Sequence, residues 1–142
     1  MMGGLLMKLH FDVANGEFVR AGEASGSVKK TLKQLGINSD VIRKIAIAMY
    51  EAEINMVIHA NGGTIDVDIL PTKVSILLKD SGPGIPDVEM AMKEGFSTAT
   101  DEVRDLGFGA GMGLPNIKKN SDFMKIDSEI GVGTTVTIEV NF

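Results

Sequence analysis

The chain has 142 residues, 44% of them hydrophobic, and 14 Lys+Arg against 19 Asp+Glu, so the formal charge is 14 − 19 = −5; this suits one globular domain over residues 1–142 and argues against nucleic acid as a partner. With no cysteine and two histidines, disulfides, thiolate zinc sites, a cysteine nucleophile and a multi-histidine metal centre are all excluded. The longest unbroken apolar stretch, Ile45 to Tyr50, is far below the roughly 18 residues of a membrane span, and Met1 to Met7 shows no charged signal-peptide start, so a cytoplasmic protein without membrane contact is expected.

In chain order, Leu5, Met7, Leu9, Phe11 and Val13 alternate and predict a first strand, closed by the Asn15-Gly16 turn. Val28, Leu32 and Leu35 fall at helical spacing, with Ser25 or Ser27 as cap and Gly36 as stop. A second helix is predicted from a Ser39 cap to about Ala60, ending at Asn61-Gly62-Gly63. Strands are predicted over Thr64 to Leu70 and Lys73 to Lys79, then a glycine-proline loop over Asp80 to Pro86. A short helix near Asp87 to Lys93 precedes an irregular stretch from Glu94 to Met112. Leu114 to Ser121 reads as a helix with Pro115 in its first turn, where the missing N–H costs nothing. Phe123 to Ser128 and Thr134 to Phe142 read as the last strands. The order βααββααββ predicts a two-layer α/β sandwich.

Two features stand out on this frame. On the long helix, Ile42, Ile45, Met49, Ala52 and Met56 share one face, and Ile47, Ile54 and Ile58 form a second apolar arc. Between the arcs run Glu51, Asn55 and His59, four residues apart. Polar groups set between apolar arcs are partly buried and need partners. A helix edge meeting solvent or Lys44 is the plainer reading of Glu51, and a C-terminal edge histidine that of His59.

The second feature is glycine. Seven of the 17 glycines and two of the four prolines lie between Gly82 and Gly113, where the backbone must turn sharply or approach something closely. Asp80-Ser81-Gly82-Pro83-Gly84-Ile85 puts a carboxylate at a strand end beside approachable backbone, although an ordinary turn has the same composition. Gly107-Phe108-Gly109-Ala110-Gly111-Met112-Gly113 leads into a helix and suits either phosphate or a hinge. It is neither a P-loop, lacking Gly-Lys-Ser/Thr, nor a Rossmann fingerprint, lacking the leading strand.

Four boxes in register resemble the GHKL ATPase superfamily: Glu51-x-x-x-Asn55, Asp80-x-Gly82-x-Gly84-Ile85, the glycine run 107–113, and Gly133-Thr134. The resemblance spans about residues 20–142. It implies a Bergerat ATP-binding fold, with a mixed sheet covered by helices on one face. The chain is too short for the multidomain members and has no phosphoacceptor-histidine domain. It is therefore similar to the free-standing anti-sigma factor serine kinases and the stressosome switch kinases. Glu94-Gly95-Phe96-Ser97-Thr98 and Gly111-Met112-Gly113-Leu114-Pro115 look closer to the switch kinases.

By that resemblance, Asn55 would hold the Mg²⁺ bound to ATP, and Glu51 would act as general base or orient the attacking hydroxyl. Asp80 would accept a hydrogen bond from the adenine amino group, with Thr134 assisting. Gly82 and Gly84, followed by Ile85, would let the backbone pass under the nucleotide. Residues 95–113 would form an ATP lid, in which Gly107, Gly109, Gly111, Gly113 and Leu114 meet phosphates and Arg104 is a candidate for the γ-phosphate. The implied function is a serine/threonine kinase acting on a small STAS-type antagonist protein in a partner-switching pathway. The alternatives are a nucleotide-dependent module that sequesters a sigma factor, or the ATP-binding half of a split histidine kinase. A homodimer is left open.

Overall fold

In chain order the computed structural model runs β1 (Met7–Val13), α1 (Glu23–Gln34), α2 (Ser39–His59), β2 (Gly63–Ile69), β3 (Lys73–Asp80), α3 (Gly113–Lys119), β4 (Phe123–Glu129) and β5 (Gly133–Asn141). It describes residues 6–13, 22–59, 63–82 and 113–142. The predicted helix near 87–93 lies outside them.

The five strands form one sheet in the order β1-β2-β3-β5-β4. All four described pairings are antiparallel, where the resemblance implied a mixed sheet. The chain leaves β3, passes through α3 to the edge strand β4, and returns by a hairpin into β5 beside β3. That return makes the β3–β5 pairing antiparallel.

Period-two alternation decides the layers. Ile65, Val67, Ile69, Val74, Ile76, Leu78, Ile138 and Val140 point inward and are buried. They meet Ile42, Ile45, Met49, Ala52 and Met56 of α2, the face expected from helical spacing, together with Ile117 of α3. Opposite them, Lys8, His10, Asp12, Asp66, Leu77 and Lys125 line the face of the sheet that the described helices leave uncovered. The second arc of α2 is divided: Ile54 is buried, while Ile47 is exposed. The side chains of Ile58 and His59 lie outside the described residues.

The helix ends correct two expected caps. α2 is capped by Asn38 rather than Ser39: its side-chain oxygen accepts the Asp40 N–H at 2.8 Å, and its carbonyl accepts the Ile42 N–H at 3.0 Å. α1 has Gly22 at its N-cap with no side-chain cap of its own, so neither Ser25 nor Ser27 serves. The acceptor comes from α2, where the buried Glu53 carboxylate takes the N–H groups of Gly22 (3.0 Å), Ala24 (3.3 Å) and Ser25 (3.1 Å). The far end of α1 closes as expected at Gly36, whose φ of 75° allows a Schellman motif. There the Ile37 N–H reaches the Leu32 carbonyl and the Gly36 N–H that of Lys33, each at 3.1 Å.

Candidate functional site

The site grows from the end of β3, a central strand. Asp80 is its last residue, and its hydrogen bonds among the described residues fall on Oδ1. That oxygen accepts the N–H of Gly82 at 2.9 Å, a local turn, and the N–H of Thr134 from β5 at 3.1 Å. The carboxylate is thus held by a strand on one side and by its own loop on the other. Oδ2 takes no hydrogen bond among the described residues.

Two glycines allow this arrangement. Gly133 has a φ of 145°, and a Cβ there would lie 2.1 Å from the Asp80 carbonyl oxygen and 3.0 Å from the Ser81 Cα. Gly63, paired with Asp80 across β2 and β3, has a similar constraint. A Cβ there would lie 2.2 Å from the Lys79 carbonyl oxygen and 2.6 Å from the Met56 Cε. A side chain at either position would collide with the backbone of residues 79–81 and displace Asp80. The Gly63 contact also ties α2 to this end of the sheet, because Met56 follows Asn55 directly.

Asn55 and Glu51 lie one turn apart on α2, both half-buried. Neither side chain takes a hydrogen bond or ion pair among the described residues. The described residues hold no group of three or more His, Asp or Glu side chains arranged for a metal. Magnesium is commonly held by one or two protein oxygens, with substrate phosphates and water completing its shell. The single amide oxygen of Asn55 fits that demand.

On β5, Thr134 is buried, with 7% of its surface exposed. Its hydroxyl lies 2.9 Å from that of Ser128, its direct cross-strand partner on β4. Gly82 is buried in its turn, Gly113 opens α3, and Leu114 packs at the margin of the core. The structure therefore brings Asp80, Gly82, Thr134 and the 55–56 turn of α2 to one end of the sheet, and α3 packs on α2. Gly84, Ile85, Gly107, Gly109, Gly111 and Arg104 lie outside the described residues.

Sequence reasoning missed Glu53 and Ser128. Glu53 stands four residues after Met49 and three before Met56, so its phase on the helix already put an acid on the buried face. Ser128 carried no such signal, because its role depends on strand register.

Residues 40–142 match the family model described as histidine kinase-, DNA gyrase B-, and HSP90-like ATPase. The chain belongs to this family. Among its curated relatives, the serine/threonine-protein kinase RsbT of Bacillus subtilis (strain 168) is 30% identical over 112 residues, covering 76% of this chain and 78% of that one. An anti-sigma F factor of Caldanaerobacter subterraneus subsp. tengcongensis is 37% identical over 108 residues, covering 72% of each. These relatives place the chain in the anti-sigma factor and serine/threonine kinase branch. Among solved structures, the RsbU and RsbW domains of Rv1364c from Mycobacterium tuberculosis superpose with a TM-score of 0.64 at 16% identity. That match covers 94% of this chain and 32% of the other, and it establishes the fold. No described helix is long and apolar enough to cross a membrane.

Proposed function

We propose that the chain is a cytoplasmic serine/threonine protein kinase that uses Mg-ATP to phosphorylate a small STAS-type antagonist protein, and so governs the activity of a sigma factor. The observation that carries this reading is the pair Glu51 and Asn55. They are half-buried without protein partners among the described residues, on the helix that packs against the strand end bearing Asp80. A nucleotide site that only bound ATP would need Asn55 and no acid one turn away.

Phosphoryl transfer depends mainly on positioning and charge stabilisation. Asp80 reads the base through Oδ2, Thr134 supports it, and Gly82 keeps the backbone close beneath the nucleotide. By the family resemblance, Gly84 and Ile85, together with Gly107, Gly109, Gly111, Gly113 and Leu114, would supply the remaining contacts to the nucleotide and its phosphates. Asn55 would supply an oxygen ligand to magnesium, which would neutralise charge on the phosphates. Glu51 takes the proton of the substrate hydroxyl as that oxygen bonds to the γ-phosphorus, and the bond from the γ-phosphorus to the ADP oxygen breaks.

Incubation with a STAS-type antagonist and γ-labelled ATP tests the assignment. Glu51→Ala should abolish transfer while ATP affinity stays within about threefold, because the lost group contacts the acceptor and not the nucleotide. Transfer that survived intact would remove Glu51 from the mechanism. Phosphate on the product should be acid-stable, as a serine or threonine ester is.

The relative named anti-sigma F factor favours a second reading, in which the chain also sequesters a sigma factor in its ATP-bound form. Recovery of RNA polymerase sigma subunits with ATP but not ADP would support it. Recovery of STAS proteins alone would leave the kinase reading by itself.

A further inference from the structure

We propose that Ser128 is a positioning residue for base recognition, setting the direction in which the Thr134 hydroxyl presents its proton. The inference rests on the ATP-binding reading above and adds to it a residue outside the four sequence boxes.

The geometry is a short relay across three strands. Asp80 on β3 accepts the Thr134 N–H, which holds the β5 backbone against it at 3.1 Å. Thr134 in turn shares a 2.9 Å hydroxyl–hydroxyl hydrogen bond with Ser128 on β4. Gly133 lets β5 approach closely enough for the first link, and the Ser128–Thr134 register provides the second.

Donor and acceptor counting then assigns the direction. An ionised carboxylate only accepts, while a hydroxyl has one proton and two lone pairs. The edge of a 6-aminopurine offers a donor, the amino group, next to an acceptor, the ring nitrogen N1. Asp80 meets the donor. The ring nitrogen needs a proton, and Thr134 is the neighbouring residue that has one. Thr134 can give that proton to the base only when its bond with Ser128 is accepted and not donated. Ser128 therefore donates to the Thr134 oxygen, and the Thr134 proton turns toward the base. Without Ser128 the hydroxyl is free to rotate and to donate to nearby backbone instead.

Calorimetric titration of the full chain with ATP, with 1-deaza-ATP, in which N1 is a C–H, and with purine riboside triphosphate, which lacks the amino group, tests this. Wild type should prefer ATP over 1-deaza-ATP, and Ser128→Ala should shrink that preference by about fivefold, the weight of one oriented hydrogen bond. Ser128→Thr, which keeps the hydroxyl, should restore it. The preference for ATP over the deaminated analogue, read by Asp80, should not change. If Ser128→Ala does not fold, Ser128→Cys, a weaker donor of similar size, takes its place.

An unchanged ATP to 1-deaza-ATP ratio in the folded variant would overturn the proposal, as would a wild type indifferent to N1. A wild type that binds no ATP at all would overturn the nucleotide reading as well, so the two failures are told apart by the first titration.

Discussion

The Thr134 N–H donates to Asp80 Oδ1 at 3.1 Å across 54 positions of sequence. This bond, with that from the Gly82 N–H, commits one carboxylate oxygen to the protein; in the proposed function the other meets the base. It also predicts what Asp80→Asn does. The new side chain should turn its oxygen to the two N–H groups and its NH₂ to the ligand, where it opposes an amino group and suits a carbonyl. ATP affinity should fall by at least about tenfold, the effect of replacing an acceptor with a donor, and the ratio of ATP to ITP affinity should fall with it. Paired calorimetric titrations with the two nucleotides check this, and an unchanged ratio would place the base elsewhere.

Two glycines of the β4–β5 hairpin should respond very differently to alanine. Gly131 has a φ of 80° with nothing within 4 Å of where a Cβ would stand, whereas Gly133 has a φ of 145° and the Asp80 carbonyl oxygen at 2.1 Å from that point. Gly131→Ala should cost about 1 kcal/mol of backbone strain with nucleotide binding retained. Gly133→Ala should cost about 3 kcal/mol and weaken binding, because strain adds to displacement of Asp80. Urea unfolding and ATP titration of both variants separate the two contributions.

Glu53 holds the start of α1 through three N–H groups, so its removal should act on stability. Glu53→Ala should lower the unfolding free energy by about 2–3 kcal/mol, leaving buried donors unpaired, and the thermal midpoint by roughly 6–10 °C. Glu53→Gln keeps one accepting oxygen and should lose about half as much. Thermal melts followed by circular dichroism decide it, and an unaffected midpoint for Glu53→Ala would show that water replaces the carboxylate.

His10 makes a pH-dependent contribution on the face of the sheet opposite the described helices. Its ring lies 2.6 Å from Asp66 and 3.2 Å from Asp12, and hydrogen bonding to Asp66 first, then to Asp12, raises its pKa above the ordinary 6.5. The folded state therefore holds the proton more tightly than the unfolded state. The resulting stabilisation is complete below about pH 6.5 and is lost as pH rises through the higher folded value. Titration of the His10 ring protons by NMR should show the raised pKa, and Asp66→Asn should return it toward 6.5.

Much of the fold was legible in local pattern. The buried face of α2, the alternation of β2, β3 and β5, and the Gly36 stop of α1 all follow from side-chain periodicity and backbone permissiveness, which are properties of near neighbours. The positions of Asp80 at a strand end and of Glu51 and Asn55 one turn apart are of the same kind. The misread caps show the limit. Ser25 and Ser27 had suitable chemistry, but α1 is capped by an acid that the sequence places about thirty positions away and the fold brings next to it.

Local pattern therefore accounts for the described elements, their buried faces and the residue types near the end of β3. Long-range packing accounts for the rest: Gly133 lies against Asp80, Thr134 shares a hydrogen bond with Ser128, and Glu53 closes a helix other than its own. The reason is physical: periodicity is set by torsions and solvent along a few residues, whereas a hydrogen bond between strands depends on register and sheet order. Those are settled by how the whole apolar face of the sheet packs beneath α2.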